Sequence, residues 1–261
     1  MANMNCSFYS CSLNMTTNIN VIIPDRLKND ELDVLYLLHG LSDNSTCYGR
    51  LTAVERYALE HNVAVIIPEV QRSFYFDMKY GMNYFQYVST ELIDFAHSMF
   101  NLPNSREKSY IAGLSMGGYG ALKCALRKPE QYKACASFSS VCDIKNMINE
   151  KMPAANVDQL IAVLGQDLKV PETDDLYLLS LNLPKTCRPK IFMTCGTEDM
   201  LYPQNQSLKS HFEKNGYDIT FNEWEGDHNW DFWEQSLKIM FDFYFGQPQS
   251  FIKTPLSKSS R

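Results

Sequence analysis

The chain predicts an α/β fold: a mostly parallel sheet covered by helices on both faces. Three observations lead there. Apolar, β-prone runs alternate with helix-spaced segments along most of the 261 residues. One such run, KSYIAG, enters a Gly-x-Ser-x-Gly turn and leaves as a helix, MGGYGALKCALR. Three further polar loops, each following a strand-like run, carry groups that could serve that serine.

The elements follow in order. An opening pair of strands is expected near Ser7 to Leu13 and Asn18 to Ile23. Further strands fall near Val34 to Leu38, Val63 to Pro68, Ser109 to Gly113, Ala134 to Ser139, Lys190 to Cys195 and Asp218 to Trp224. Helices fall near Gly49 to His61, Phe85 to Phe100, Met116 to Arg127, Gln204 to Asn215 and Trp230 to Phe245. In such sheets ligands bind at the carboxyl ends of the strands, where the polar loops lie.

Ser115 stands at the centre of the first loop, GLSMGGYGAL. By composition the pentapeptide alone arises in roughly one chain in ten of this length, at about 7% per residue type. A strand before it and a helix after it make it a nucleophile elbow, where the serine takes a strained backbone conformation and its Oγ projects above the sheet. The N–H of Met116 then points toward the reacting carbonyl, and the helix dipole favours negative charge there.

The second loop, LLHGLSDN, places Leu41 N–H as the other donor to an oxyanion. His39, at the strand end before the turn, reads as a structural hydrogen-bonding residue. The third loop, CGTEDMLY, offers two adjacent carboxylates of which only one can aim at an imidazole. Asp199, directly before the apolar MLY, is chosen over Glu198. The fourth, GDHNWDFW, carries His228 between a strand and the last helix. The order Ser115, Asp199, His228 is that of the α/β-hydrolase triad. Of the other histidines, His61 and His211 fall in polar helix-like stretches and His97 among helical apolar residues. In this arrangement His228 takes the Ser115 proton, Asp199 holds the imidazole tautomer, and no metal or other cofactor is required.

These motifs resemble a family. LLHGLSDN, QRSFYFDMKYGMNYFQYVSTEL, REKSYIAGLSMGGYGALK, CGTEDMLY and GDHNWDFW are similar to those of the small bacterial tributyrin esterases of the esterase D group. That group also holds S-formylglutathione hydrolases and mycolyltransferases, with acetyl-xylan and feruloyl esterases close by. The resemblance runs from about Asn5 to Phe245 and implies Ser115, Asp199 and His228 as the triad, with Leu41 and Met116 as oxyanion donors. One departure is visible. The S-formylglutathione hydrolases resemble one another in having histidines flanking the nucleophile motif, where this chain has Leu114 and Tyr119. A glutathione thioester is therefore the less expected substrate.

Composition bounds the rest. With 45% hydrophobic and 21% charged residues the chain can bury one sizeable core, expected as a single hydrolase domain over 1–245. A net charge of −6 and a pI near 5.4 argue against nucleic acid as a partner. No apolar run approaches the ~18 residues of a membrane span. The first residues, MANMNCSFYSCSLNM, show neither a basic n-region nor an apolar h-region. Eight cysteines without a pairing pattern read as reduced, and a cytoplasmic location is expected.

Two segments interrupt the alternation. Phe74, Tyr75, Phe76 and Tyr80, in the aromatic loop after the Val63 strand, and Trp230 are expected to line the substrate pocket. Ser140 to Arg188 is expected to form a small helical cap, and 246–261 a disordered tail. The activity expected is hydrolysis of a small-molecule ester with a short acyl group through an acyl-enzyme. A feruloyl or acetyl-xylan esterase, and an acyltransferase using the same triad, are the alternatives. Self-association is left open.

Overall fold

The computed structural model describes residues 1–25, 32–150 and 156–246. The elements in chain order are β1 (Ala2–Ser10), β2 (Met15–Ile23), β3 (Asp33–Leu38), α1 (Cys47–Leu51), α2 (Val54–His61), β4 (Val63–Pro68), α3 (Tyr84–Gln86), α4 (Leu92–Phe100), β5 (Ser109–Leu114), α5 (Met116–Arg127) and β6 (Ala134–Phe138). There follow α6 (Ile144–Asn149), α7 (Val157–Leu164), α8 (Leu176–Asn182), β7 (Lys190–Gly196), α9 (Tyr202–Lys214), β8 (Ile219–Trp224) and α10 (Trp230–Phe245).

Among the described residues the strands form an eight-stranded sheet in the order β1-β2-β4-β3-β5-β6-β7-β8. β1–β2 and β2–β4 pair antiparallel and the remaining neighbours pair parallel, as in the α/β-hydrolase fold. The chain steps one way from β3 to β4 and the other way to β5, so the strand order reverses between β3 and β5. Such a switch point opens a crevice at the carboxyl ends of the strands. In that pair Leu38 lies opposite Gly113, two residues before Ser115.

Strands buried on both faces need continuous apolar runs, and β3, β4 and β5 supply them in VLYLL, VAVIIP and SYIAGL. Alternation then splits each strand between two core layers. Val34, Tyr36 and Leu38 face one layer with α4, α5 and the 140–188 insertion; Leu35 and Leu37 face the other with α2 and α10. Each fully buried Leu, Ile or Val contributes about 1.5–3 kcal/mol.

The strand expected from Val63 and the helices expected from Met116 and from Trp230 have the observed bounds. Other elements differ, for local reasons. The opening strand starts at Ala2 rather than Ser7, because Met4, Cys6 and Phe8 pack against the core while Asn3, Asn5 and Ser7 face outward. The helix expected from Gly49 to His61 is two. Thr52 turns extended between them, its Oγ1 donating to Tyr48 O at 2.6 Å and accepting from Val54 N at 3.2 Å. The helix expected from Phe85 contains a π-helical turn, Tyr87–Glu91, between α3 and α4. From the end of that turn the Glu91 carboxylate accepts from Ser10 Oγ and from the N–H groups of Cys11 and Ser12, holding the β1–β2 turn.

The insertion carries α6, α7 and α8. It lies along α5 and against the aromatic loop, with Lys79 N donating to Val163 O and Tyr80 N to Ala162 O, both at 2.9 Å. All eight cysteines are free thiols. No helix among the described residues is long and apolar enough to cross a membrane. Of the expected tail, 247–261 lies outside the described residues.

Candidate active site

β5 ends at Leu114, and Ser115 takes φ 54° and ψ −117° before α5 begins at Met116. Such a conformation costs a non-glycine residue about 1–3 kcal/mol and persists only where its surroundings hold it. Here Ser115 N donates to Phe138 O at 2.8 Å, and Ser115 O accepts from Gly118 N and Tyr119 N at 3.1 and 3.2 Å. The elbow also requires α5 to lie hard against the sheet. A Cβ on Gly117 would stand 2.2 Å from Leu38 O, so only glycine fits there.

His228 reaches the serine from the loop between β8 and α10. Ser115 Oγ–H donates to His228 Nε2 at 3.0 Å, and His228 Nδ1–H donates to Asp199 Oδ2 at 2.8 Å. Asn229 caps α10 by accepting from Phe232 N, which sets where the loop ends. The Trp233 indole meets the His228 ring edge to face at 4.9 Å and limits its rotation.

Asp199 is 3% exposed, whereas Glu198 faces solvent. Burial alone would raise the Asp199 pKa. The hydrogen bond and charge of His228, with the Leu201 N–H donated to Oδ1 at 2.8 Å, outweigh it and hold the carboxyl below its ordinary range. The geometry thus aims a carboxylate at one ring nitrogen and leaves the other to the serine hydroxyl. That arrangement can take a proton from the hydroxyl as it attacks a carbonyl.

Across the switch point, a Cβ on Gly40 would lie 3.6 Å from Ser115 Cβ, so the His39–Leu41 turn runs directly beside Ser115. Met116, first residue of α5, has an N–H with no acceptor inside the helix. The turn is braced from below. Tyr48 OH donates to Leu38 O and Tyr75 OH to His39 O, both at 2.9 Å. His39 is fully buried: its Nδ1–H donates to Gly40 O at 2.7 Å, and its Nε2 accepts from Val70 N at 3.2 Å.

The aromatic loop corrects the expected pocket. Phe74, Tyr75 and Phe76 are 1%, 0% and 3% exposed and have almost no surface to offer a substrate. Tyr75 supports the His39 turn, and Phe76 stacks on Tyr119 with ring centroids 5.9 Å apart. Tyr80 is on the open surface beside α7. Trp230 is half-buried, edge-on to Tyr48 and Trp233. The sequence reading missed Tyr48, Leu201 and Asn205. Asn205 Nδ2 donates to Ser140 O and Leu201 O, both at 2.9 Å, and so ties the loop after β6 to the loop that holds Asp199. The signal for it was a polar amide among the buried positions of α9.

Leu114 and Tyr119, which stand where S-formylglutathione hydrolases resemble one another in having histidines, are each 1% exposed. Tyr119 OH donates to Asp174 O at 2.6 Å, turned into the insertion. Neither side chain has surface with which to read a thioester, so the departure does not bear on that substrate. Among the described residues no cluster of three or more His, Cys, Asp or Glu side chains could hold a metal ion.

Sheet order, elbow and loop positions together define an α/β hydrolase. A family model described as a putative esterase matches residues 10–244, and the chain belongs to that esterase family; it is a serine esterase acting on carboxylic esters. It is 31% identical over 264 residues to an acetyl esterase of Caldicellulosiruptor saccharolyticus, covering 93% of this chain and 98% of the relative. A fluorophosphonate-binding serine hydrolase of Staphylococcus aureus, FphF, solved with substrate bound, superposes with a TM-score of 0.84 at 31% identity, covering 93% of this chain and 97% of that one. The apoenzyme of an S-formylglutathione hydrolase of Staphylococcus aureus, FrmB, gives a TM-score of 0.81 at 31% identity, covering 93% and 98%.

Proposed function

We propose that the chain hydrolyses short acyl esters through an acyl-enzyme on Ser115. The observation that carries this reading is the continuous hydrogen-bonded series from Asp199 through His228 to Ser115 Oγ at a strained elbow. His228 Nε2 takes the hydroxyl proton as Oγ attacks the carbonyl, then returns it to the leaving alkoxide. Asp199 holds the Nδ1–H tautomer and stabilises the imidazolium. The tetrahedral oxyanion is held by the N–H groups of Met116 and Leu41, each such donor contributing about 2.7–4 kcal/mol. Water activated by the same histidine then releases the acid.

A short acyl group is favoured because two relatives of equal identity are named for acetyl and formyl substrates, which carry two carbons and one. A feruloyl group lacks the platform expected for it, since Phe74, Tyr75 and Phe76 are core residues. The test is a panel of p-nitrophenyl acetate, butyrate and octanoate with methyl ferulate and S-formylglutathione, and Ser115→Ala as blank. Acetate and butyrate are expected to dominate the oxygen esters. Higher kcat/KM on octanoate or ferulate would overturn the short-acyl reading, and residual turnover by Ser115→Ala would overturn the nucleophile.

A further inference from the structure

Ser115, Tyr119, Lys123 and Arg127 recur every four residues and so form one stripe along α5, beginning at the nucleophile. The three residues after the serine all hold one residue of the insertion. Tyr119 OH donates to Asp174 O at 2.6 Å, Lys123 Nζ pairs with Asp174 Oδ1 at 2.7 Å, and Arg127 reaches the same oxygen at 3.3 Å. Thr173 Oγ1 donates to Asp174 Oδ2 at 3.0 Å. The Lys123 side chain is fully buried, with its ammonium 3.7 Å from the centroid of the Phe76 ring, so it has no water to turn to.

The next residue faces the other way. Asp175 Oδ1 caps α8 by accepting from Tyr177 N and Leu178 N, and its Oδ2 pairs with Lys145 of α6 at 2.5 Å. Two consecutive carboxylates therefore fasten the insertion: one to the helix that carries the nucleophile, the other to two of the insertion's own helices. Between these helices and α5 lies a small, partly open cleft of about 10 Å³, lined by Tyr119, Cys142, Ile144, Leu176 and Tyr177. The loop that leads from β6 to Cys142 and α6 is tied to the elbow, because Val141 N donates to Ser115 O at 3.3 Å. Any change in how Asp174 sits on α5 is thus passed to α6, α8 and the loop at Val141 beside the serine.

We infer that Asp174 and Asp175 are positioning residues that set the acyl length Ser115 accepts, by fixing α6 and α8 against the stripe on α5. This rests on Ser115 being the nucleophile. Short-acyl selectivity then comes from a wall held by charge at a distance from the reacting atoms. Loosening the anchor admits longer chains and leaves the triad intact.

The test measures the rate of Ser115 phosphonylation, located by mass, with ethyl p-nitrophenyl methylphosphonate and its hexylphosphonate analogue. The proteins are wild type, Asp174→Asn, the double variant Lys123→Met/Asp174→Asn, Lys145→Gln and Lys145→Arg. Asp174→Asn leaves Lys123 buried without its counter-ion and is expected to lower Tm; the double variant removes both charges and is expected to recover it. If the role were structural alone, the recovered double variant would keep the wild-type ratio of methyl to hexyl rates. The expected result is a shift of about tenfold toward hexyl in the double variant, and about threefold in Lys145→Gln. Lys145 is exposed enough for its loss to leave the fold intact, and Lys145→Arg is expected to restore the wild-type ratio. An unchanged ratio in Lys145→Gln and in every folded Asp174 variant would overturn the inference while leaving the nucleophile standing. Absence of phosphonylation at Ser115 in wild type would instead overturn the nucleophile, and the anchor with it.

Discussion

The two faces of α5, the helix that follows Ser115, are held by opposite means. Toward the sheet, α5 is held by the absence of side chains: Gly117 brings its backbone within contact of Leu38 O. Toward the insertion it is held by large side chains, with Tyr119, Lys123 and Arg127 converging on Asp174. The first contact is steric and leaves no room for a side chain at Gly117. The second is polar and buried, and its partners can be exchanged together. Rigidity is concentrated on the side of α5 that positions the Ser115 elbow, and adjustable contact on the side that carries the insertion.

The largest expected effect lies at the tip where the faces meet. Ser115→Ala should lower kcat by about 10⁶-fold, with His228→Ala close to it and the double variant no worse, because such residues act as a unit. Thermal melts of Ser115→Ala should match wild type, since both faces of α5 remain intact. Second is the carboxylate. Asp199→Asn is expected to cost about 10⁴-fold in kcat through the wrong imidazole tautomer, while Glu198→Gln, on the exposed neighbour, should stay within about twofold.

Third, the polar face should break and mend. Asp174→Asn is expected to destabilise by about 3–5 kcal/mol by leaving a buried ammonium uncompensated, and adding Lys123→Met should recover most of it in urea titrations. Fourth, the steric face should break without remedy. Gly117→Ala should cost about 1–3 kcal/mol through backbone displacement, at about 2–4 °C of Tm per kcal/mol. It should lower kcat as well, which no Asp174 variant is expected to do to the same degree. Smallest is a pH effect. The Asp199 carboxyl is held below its ordinary value, so the folded state binds its proton less readily than the unfolded chain. Its contribution to stability is fully present above the ordinary value of 3.8 and is lost as pH falls through the lower folded value. Stability measured from pH 5 downward should therefore fall less steeply in Asp199→Asn than in wild type.

Much of the site was legible in the sequence because it is local. A strand, a glycine-flanked serine and a helix occupy consecutive residues, and the loops after β3, β7 and β8 announce themselves by apolar runs ending in polar ones. The choice of Asp199 over Glu198 followed from the apolar residues after it, and the Asp199 side chain is indeed the one turned inward to His228. Aromatic density misled for the Glu69–Tyr84 loop. Phe74 and Tyr75 adopt left-handed backbone angles of 50° and 57°, which turn their rings into the core, and composition carries no trace of that. The break at Thr52 was equally hidden, because it depends on a hydroxyl serving two backbone groups that lie on either side of it.

By itself the sequence determined the alternation of strand and helix, the elbow, and the order of Ser115, Asp199 and His228, since each depends on neighbours within a few positions. Only the tertiary structure decided that Tyr75 braces the His39–Leu41 turn, that Asn205 joins the loop after β6 to the loop that holds Asp199, and that a fully buried Lys123 finds its counter-charge in Asp174. Those pairings span tens of residues. A contact between distant segments is chosen by packing and desolvation across the whole fold, and no local pattern of residues encodes it.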